Sequence, residues 1–404
     1  MPSYLSLCVP QRTRSRAVPR SRREMAMSRG SILIVGGGIG GLSTAIAVQK
    51  KGYDATVVEL NSDVHSSVYG VGIIQPMNAL RALDMIGVAQ DCIAAGYPAK
   101  RWGGLYATDG TFIKEMPGTP VPGLDLPPMN GLTRPKLHEI LTSHAVEAGV
   151  TIRYSTTFAQ LDDDGDGVDI SFTDGTTGRF DIVVGADGVY SKTRGYVVEG
   201  EVRPYYIGQS AYRVNIPLLP EIDSIILQAG PEGMAGLVPI GEDLAYLFYN
   251  AHMEAQPTPE SGDDTAQKLR DYLAPFDGFM GRIRDEFIDD GCEIVLRPEE
   301  SLIVEAPWHK GRIVLLGDSV HAITPHLGQG AAQAIEDGVV LADCLAEHDD
   351  LAVAFREYTD RRFERCKLIV DTSLDIAEWE MGRKPGFDNI AATDHVLEVM
   401  AQPL

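Results

Sequence analysis

Three glycines, Gly36, Gly38 and Gly41, stand at G-x-G-x-x-G spacing directly after the apolar run Ile32 to Val35, and an acid, Glu59, follows them. Each residue type suits one task in holding a dinucleotide. Gly36 permits a tight turn, Gly38 lets the backbone approach a pyrophosphate, and Gly41 lets a helix lie close on a sheet, so that its first amides and its dipole face phosphate. Glu59 stands where a carboxylate accepts hydrogen bonds from a ribose diol. These residues need a strand, a turn, a helix and a second strand to position them. The chain supplies all four in order: Ile32 to Val35, the glycine turn, a helix from Gly40 to about Lys51, and Ala55 to Val58. The pattern predicts a dinucleotide site rather than a glycine-rich turn of an ordinary α/β sheet, and leaves open which dinucleotide.

Two later segments repeat this grammar. Asp181 to Arg194 reads as a buried strand entering a turn at Asp187-Gly188. Gly311 to Gly338 reads as a strand, a loop carrying Gly317-Asp318 and an alanine-rich helix, with helical pattern continuing from Val339 to about Met381. Between the first two motifs, Tyr69 to Pro76 reads as extended and Met77 to Ile86 as an amphipathic helix. Trp102 to Met116 carries a hairpin signal at Thr108-Asp109-Gly110, and Pro117 to Pro128 is a proline-rich loop. The segment Leu132 to Gly149 reads as a helix closed by its glycine. The acidic turn Asp162 to Gly167 lacks the distal glutamate of a calcium loop and reads as a solvated hairpin. From about Arg203 to Glu293 the pattern changes to short strands (211–216, 224–228, 236–240, 244–250) and a polar helix near 264–273, a separate antiparallel sheet.

Composition narrows the function classes. With 404 residues the chain has room for about two domains, and it has no apolar run long enough to span a membrane. Its five cysteines are scattered with no C-x-x-C pair, which argues against a zinc site or a disulfide framework and suits a reducing, cytoplasmic setting. No other metal-ligand cluster and no Ser-His-Asp order stands out, so no metal is expected. The net charge is −22, and residues 1–30 hold seven arginines against the single acid Glu24, so the body is more acidic still and nucleic acid is not an expected partner. Residues 1–30 read as a disordered basic leader, with Met25 or Met27 a natural start. Their Arg-rich, acid-poor composition also fits a transit segment.

Taken together, the glycine turn at 36–41, the Asp-Gly turn at 187–188 and the Gly-Asp loop at 317–318 resemble the single-component FAD-dependent aromatic hydroxylases, the para-hydroxybenzoate and salicylate hydroxylase-like flavoprotein monooxygenases. The resemblance covers residues 31 to about 380. It implies an α/β fold: a Rossmann-like FAD-binding domain over 31–200, with sheet excursions near 69–118, completed at 295–345, an inserted antiparallel β-sheet substrate domain at 201–294, and a C-terminal helical region at 346–404. It implies FAD as cofactor and NADH or NADPH as co-substrate, without a second glycine-turn site for the latter. By the same resemblance Glu59 holds the adenosine ribose and Arg134 contacts the FAD chain. Asp187 and Gly188, with Arg194 beyond, serve the pyrophosphate region and NAD(P)H. Asp318 binds the ribityl chain, and Pro325 to Gly330 run beside the flavin ring. Leu60 departs from the arginine that many members carry after the ribose acid. Independently, amides at the helix start Gly328 to Gly330 suit the negative charge of a reduced flavin.

The activity so implied is hydroxylation of a phenolic or similarly activated aromatic or heteroaromatic small molecule by O2 through a flavin C4a-hydroperoxide. Two alternatives stay open: a flavin reductase or halogenase of the same fold, although the W-x-W-x-I-P halogenase signature is absent, and a non-catalytic flavin-binding protein. His326 is a candidate proton relay beside Pro325, and His321 a packed residue. A Tyr/Trp-Arg pair common at the start of this sheet in salicylate-hydroxylase-like members matches Tyr212 and Arg213. Alternation along a strand lets one of them face the pocket, and Tyr212 is expected to be the partner of the ring hydroxyl. A homodimer is compatible with all of this.

Overall fold

The computed structural model describes residues 28–63, 71–116, 118–119, 123–257 and 264–404. The basic leader up to residue 27, Tyr69 and part of the proline-rich loop lie outside the described residues.

Ile32, Leu33, Ile34 and Val35 are all at most 1% exposed. Four consecutive buried residues mean that both faces of the strand are covered, as in a parallel sheet wound by helices. The strand Ser31–Val35 pairs in parallel with Asp54–Val58 on one side and Ile182–Gly185 on the other. The full six-stranded order runs His309–Lys310, Ile313–Leu315, Ile182–Gly185, Ser31–Val35, Asp54–Val58, Thr151–Arg153. All the pairings are parallel except the terminal hairpin His309–Lys310. Thus three segments far apart in sequence place the glycine turn, Asp187-Gly188 and Gly317-Asp318 at adjacent strand ends, where open α/β sheets hold their ligands. Helices Ile39–Lys50 and Gly330–Glu347 pack against each other over this sheet.

An eight-stranded sheet forms the second layer, in the order His321–Ala322, Ile294–Ile303, Tyr205–Pro217, Leu244–His252, Gly233–Pro239, Ile225–Ala229, Gly103–Tyr106, Phe112–Met116. It extends past the expected limits 201–294 at both ends. Gly103–Tyr106 joins in parallel beside Ile225–Ala229, and Ile294–Ile303 pairs with Tyr205–Pro217. One face of this sheet carries helices Thr265–Leu273 and Gly278–Phe287, whose Leu269, Leu273, Met280 and Ile283 are wholly buried against Tyr212, Leu247 and Tyr249. The other face looks toward the dinucleotide turn. Helices Leu351–Glu380 and Asn389–Ala401 close the C-terminal side. Among the described residues no helix is long and apolar enough to cross a membrane.

Candidate active site

The glycine turn is held from several sides. The Gly36 amide donates to Val58 O at 2.9 Å and the Ala186 amide to Val35 O at 2.9 Å. Gly36 has φ +108°, and a side chain there would meet Ala186 O at 2.3 Å. At Gly41 a Cβ would lie 2.0 Å from Gly36 O, so the helix could not approach the turn. Gly38 is different: a Cβ there meets no protein atom within 4 Å. The turn is therefore closed against protein at Gly36 and Gly41 and open at Gly38, the position assigned to the pyrophosphate. Glu59 is tied to this turn, accepting from the Gly37 amide at 2.8 Å through one oxygen and from Asn61 through the other. On the opposite side Nε2 of His138 lies 2.6 Å from Gly37 O. His138 had no role in the sequence. It sits inside helix Arg134–Ala148, which Thr133 caps through the Lys136 amide and Gly149 ends in the left-handed region.

A cavity of about 630 Å³ runs from this turn to the sheet, within the usual size for a small-molecule site. Of the residues singled out in the sequence, Gly38, Arg134, Gly188, Asp318, Pro325, His326, Gly328 and Gly330 line it. Asp318 is exposed into the cavity, yet its surroundings push its carboxyl above the usual range, burial being opposed by His321 and Arg134. Arg134 is pulled below its ordinary value by burial and by Arg213, with Asp318 acting the other way. Gly328 takes φ +62° and donates to Pro325 O at 2.9 Å, turning the loop into helix Gly330–Glu347. The side chain of His326 is fully buried, with Nδ1 3.0 Å from Thr324 Oγ1 and Nε2 3.0 Å from Gln209 Oε1.

Two of the sequence expectations are placed differently by the structure. The Asp187 carboxylate is occupied by its own loop, accepting from Ser191, from the Lys192 and Thr193 amides and from the Thr193 hydroxyl. It shapes the turn that brings Gly188, at φ +80°, to the cavity wall. Arg194 does similar work, its guanidinium donating to Val189 O, Val202 O and Ser319 O, which links this loop to that of Asp318. Tyr212 does not face the cavity: it is 1% exposed on the helix-covered side, its ring 5.7 Å from that of Tyr272. Burial pushes its hydroxyl up to about 12. Ala211 and Arg213, one residue to either side, line the cavity. The alternation was foreseen and the choice of face was not, because the covering helices Thr265–Leu273 and Gly278–Phe287 decide it.

The same period of two sets the rest of the wall. Tyr246, Phe248 and Asn250 face the cavity while Leu247, Tyr249 and Ala251 pack under the helices. Arg297 and Glu299 enter from the next strand. None of these was marked in the sequence, since alternation alone does not say which set faces inward. His321 is buried beside Asp337, 2.7 Å from Nε2 to Oδ2, in a charge network with Glu336 and Arg362. His321, Asp337 and Cys366 bring ligand-type atoms within 4.8 Å of one another. The Arg362 guanidinium donates to Asp337 and Cys366 there, a cation already in the place a metal would take.

Gly38 of the glycine turn, Gly188 of the Asp-Gly turn and Asp318 of the Gly-Asp loop converge on one cavity, while Glu59 stays beside the turn and does not line it; this defines a dinucleotide-binding enzyme fold whose residues fit FAD. Residues 29–373 match the family model described as FAD binding domain. YetM of Bacillus subtilis (strain 168), provisionally named as a FAD-dependent monooxygenase, is 30% identical over 361 residues, 89% of this chain and 96% of YetM. The 2-heptyl-3-hydroxy-4(1H)-quinolone synthase of Pseudomonas aeruginosa (strain UCBPP-PA14) is 32% identical over 343 residues, 83% of this chain and 86% of that protein. In fold the chain is similar to HpxO of Klebsiella pneumoniae crystallised with FAD and uric acid, with TM-score 0.78 and 22% identity over 92% of both chains. The chain belongs to the FAD binding domain family, among the FAD-dependent monooxygenases of the aromatic hydroxylase type.

Proposed function

We propose that this enzyme uses NAD(P)H and O2 to hydroxylate a phenolic or similarly activated aromatic or heteroaromatic small molecule. The observation that carries the reading is a cavity that joins Gly38 and Asp318 at one end to Arg213, Tyr246 and Phe248 at the other. Bound FAD, reduced by NAD(P)H, supplies the activation of O2 and the transfer of one oxygen atom. The remaining requirements fall on the chain's own residues. Asp318 and Arg134 would hold the cofactor chain, and the amides of Gln329 and Gly330, at the start of helix Gly330–Glu347, would face the flavin's developing negative charge, the Gly328 amide being taken by Pro325 O.

At the sheet end Tyr246, Phe248 and Trp102 give an aromatic wall that excludes water from a flat ring. A phenol with an ordinary pKa of about 10 reacts far better as its anion, and the Arg213 guanidinium favours that anion by its charge. The same charge reaches Tyr246, where it opposes the upward push of burial. The quinolone named in one relative and the uric acid bound in another fold relative are both heteroaromatic, which supports the substrate class.

The test is NAD(P)H oxidation by the FAD-loaded protein in the presence of a panel of phenols and hydroxyquinolines. At least one member should stimulate oxidation about tenfold or more, equivalent to about 1.4 kcal/mol of barrier. A rate that no aromatic compound changes would contradict the reading.

A further inference from the structure

Glu299 stands on the cavity face of strand Ile294–Ile303, 4% exposed, and neither oxygen of its carboxylate has a hydrogen-bond partner among the described residues. A buried acceptor left unpaired is unfavourable, so its presence points to a donor that arrives with a ligand. The groups that face it come from three other elements and its own: His326, Glu380, Arg213 and Arg297. Nε2 of His326 lies 3.7 Å from a Glu299 oxygen and 3.5 Å from Glu380 Oε2. Gln209 bridges the second pair, its carbonyl 3.0 Å from that nitrogen and its amide donating to Glu380 at 3.1 Å. Turning the Gln209 amide over reverses both bonds, so the hydrogen-bond geometry accommodates a proton on either His326 or Glu380.

Glu380 also has a second outlook. With Met234 it lines both the main cavity and a neighbouring one of about 580 Å³. That second cavity is bounded by Glu232 and His252, both exposed, and so reaches the surface. A carboxylate without a hydrogen bond at the cavity wall, an imidazole 3.7 Å from it and 3.5 Å from a second carboxylate, and a second opening to solvent stand in series.

We propose that Glu299 takes the proton from the ring hydroxyl or ring N–H of the substrate, and that His326 and Glu380 pass this proton to the second cavity. The proposal rests on the monooxygenase reading for its substrate. The substrate O–H or N–H bond breaks, its electron pair stays on the substrate and enriches the ring, and a new O–H bond forms on Glu299. Nε2 of His326 gives its proton to the Glu380 carboxylate and on to water, and the freed lone pair accepts the proton from Glu299, with no change of oxidation state. The protonation tendencies agree with the path. Burial and then Glu380 push the Glu299 carboxyl above its usual range, against His326 and Arg213. For His326 burial works against charge, and the two carboxylates outweigh it, so the imidazole is held above its ordinary value.

The probe is 4-nitrophenol, whose phenol and phenolate absorb at separate wavelengths, added to FAD-loaded enzyme at a pH where the free probe is mainly neutral. The phenolate band should appear on binding to wild type, persist in Glu299→Asp and be lost in Glu299→Gln. A band that survives in Glu299→Gln, or a wild type that leaves the probe neutral or unbound, overturns the assignment. Should Glu299→Gln not fold, Glu299→Asp decides: its band must emerge at a shifted pH, and an unchanged profile overturns it. In Glu380→Gln the band should form while an indicator dye in weakly buffered solution records the proton about tenfold later, a barrier change of about 1.4 kcal/mol. Release as prompt as in wild type removes Glu380 from the path. A wild type that ionises the probe yet shows no substrate-stimulated NAD(P)H oxidation would sink the monooxygenase reading and leave the proton acceptor standing.

Discussion

Asp337, buried in helix Gly330–Glu347, accepts the Gly317 amide at 2.8 Å, so the loop that presents Asp318 to the cavity is anchored on a carboxylate that never reaches it. The same carboxylate takes His321 at 2.7 Å and Arg362 at 2.8 Å. Glu336 beside it binds Arg362 at 2.7 Å and Arg81 at 3.4 Å, all five groups of this network being at most 7% exposed. Removing one partner from such a network leaves the others charged and unpaired, which costs far more than the pairing contributes.

Asp337→Asn is therefore expected to lower stability by about 3–5 kcal/mol and to release FAD. Burial pushes the Asp337 carboxyl up, but His321 and Arg362 outweigh it and hold it down at about 2. A depressed carboxyl contributes stability above its unfolded pKa and loses it as pH falls through the folded value. Wild type should thus lose stability between about pH 4 and pH 2, and Asp337→Asn should lose less over the same range. Urea unfolding at several pH values checks this, and parallel curves for the two proteins would contradict it.

The glycines give a sharper contrast. Gly41→Ala drives a Cβ to 2.0 Å from Gly36 O and should disrupt the fold. Gly38→Ala meets no protein atom, so the apoprotein should stay within about 1 kcal/mol of wild-type stability. The added methyl occupies the space assigned to the pyrophosphate, and flavin content after purification should collapse. Full FAD content in Gly38→Ala would move the pyrophosphate elsewhere.

Arg213 and Tyr212 separate by face. Arg213→Gln should weaken substrate use, with kcat/KM down at least about tenfold, or about 1.4 kcal/mol of lost transition-state stabilisation. Tyr212→Phe, behind the sheet, should leave FAD content and coupling of NAD(P)H oxidation to product as in wild type. Peroxide release measured in both variants checks the assignment, and uncoupling confined to Tyr212→Phe would reverse it.

How much of this was legible depends on how local each signal is. Gly36, Gly38, Gly41 and Glu59 announce themselves because a strand, turn, helix and strand place them within one short stretch, and the structure ties all four to the same turn. Asp318 is legible for the same reason. Asp187 shows the limit of a motif, since spacing locates the turn without saying whether the carboxylate faces the ligand or its own amides. Glu299, Glu380 and Gln209 carried no signal, because each comes from a separate element and only the packing of the sheet against helix Leu351–Glu380 brings them to His326. Gly103–Tyr106 was readable as a strand. Its partner Ile225–Ala229 is more than a hundred residues away, and parallel pairing at that distance leaves no local trace.

In the proposed reaction this chain joins an oxygen atom from O2 to an aromatic ring at the expense of NAD(P)H. It is tested most directly by turnover of FAD-loaded enzyme under isotopically heavy O2, with mass spectrometry of the product and a count of NAD(P)H consumed. Each product molecule should carry one heavy oxygen atom, with one NAD(P)H oxidised for it. NAD(P)H consumed with all the oxygen recovered as peroxide for every aromatic compound tried, or product oxygen drawn from water, would contradict it.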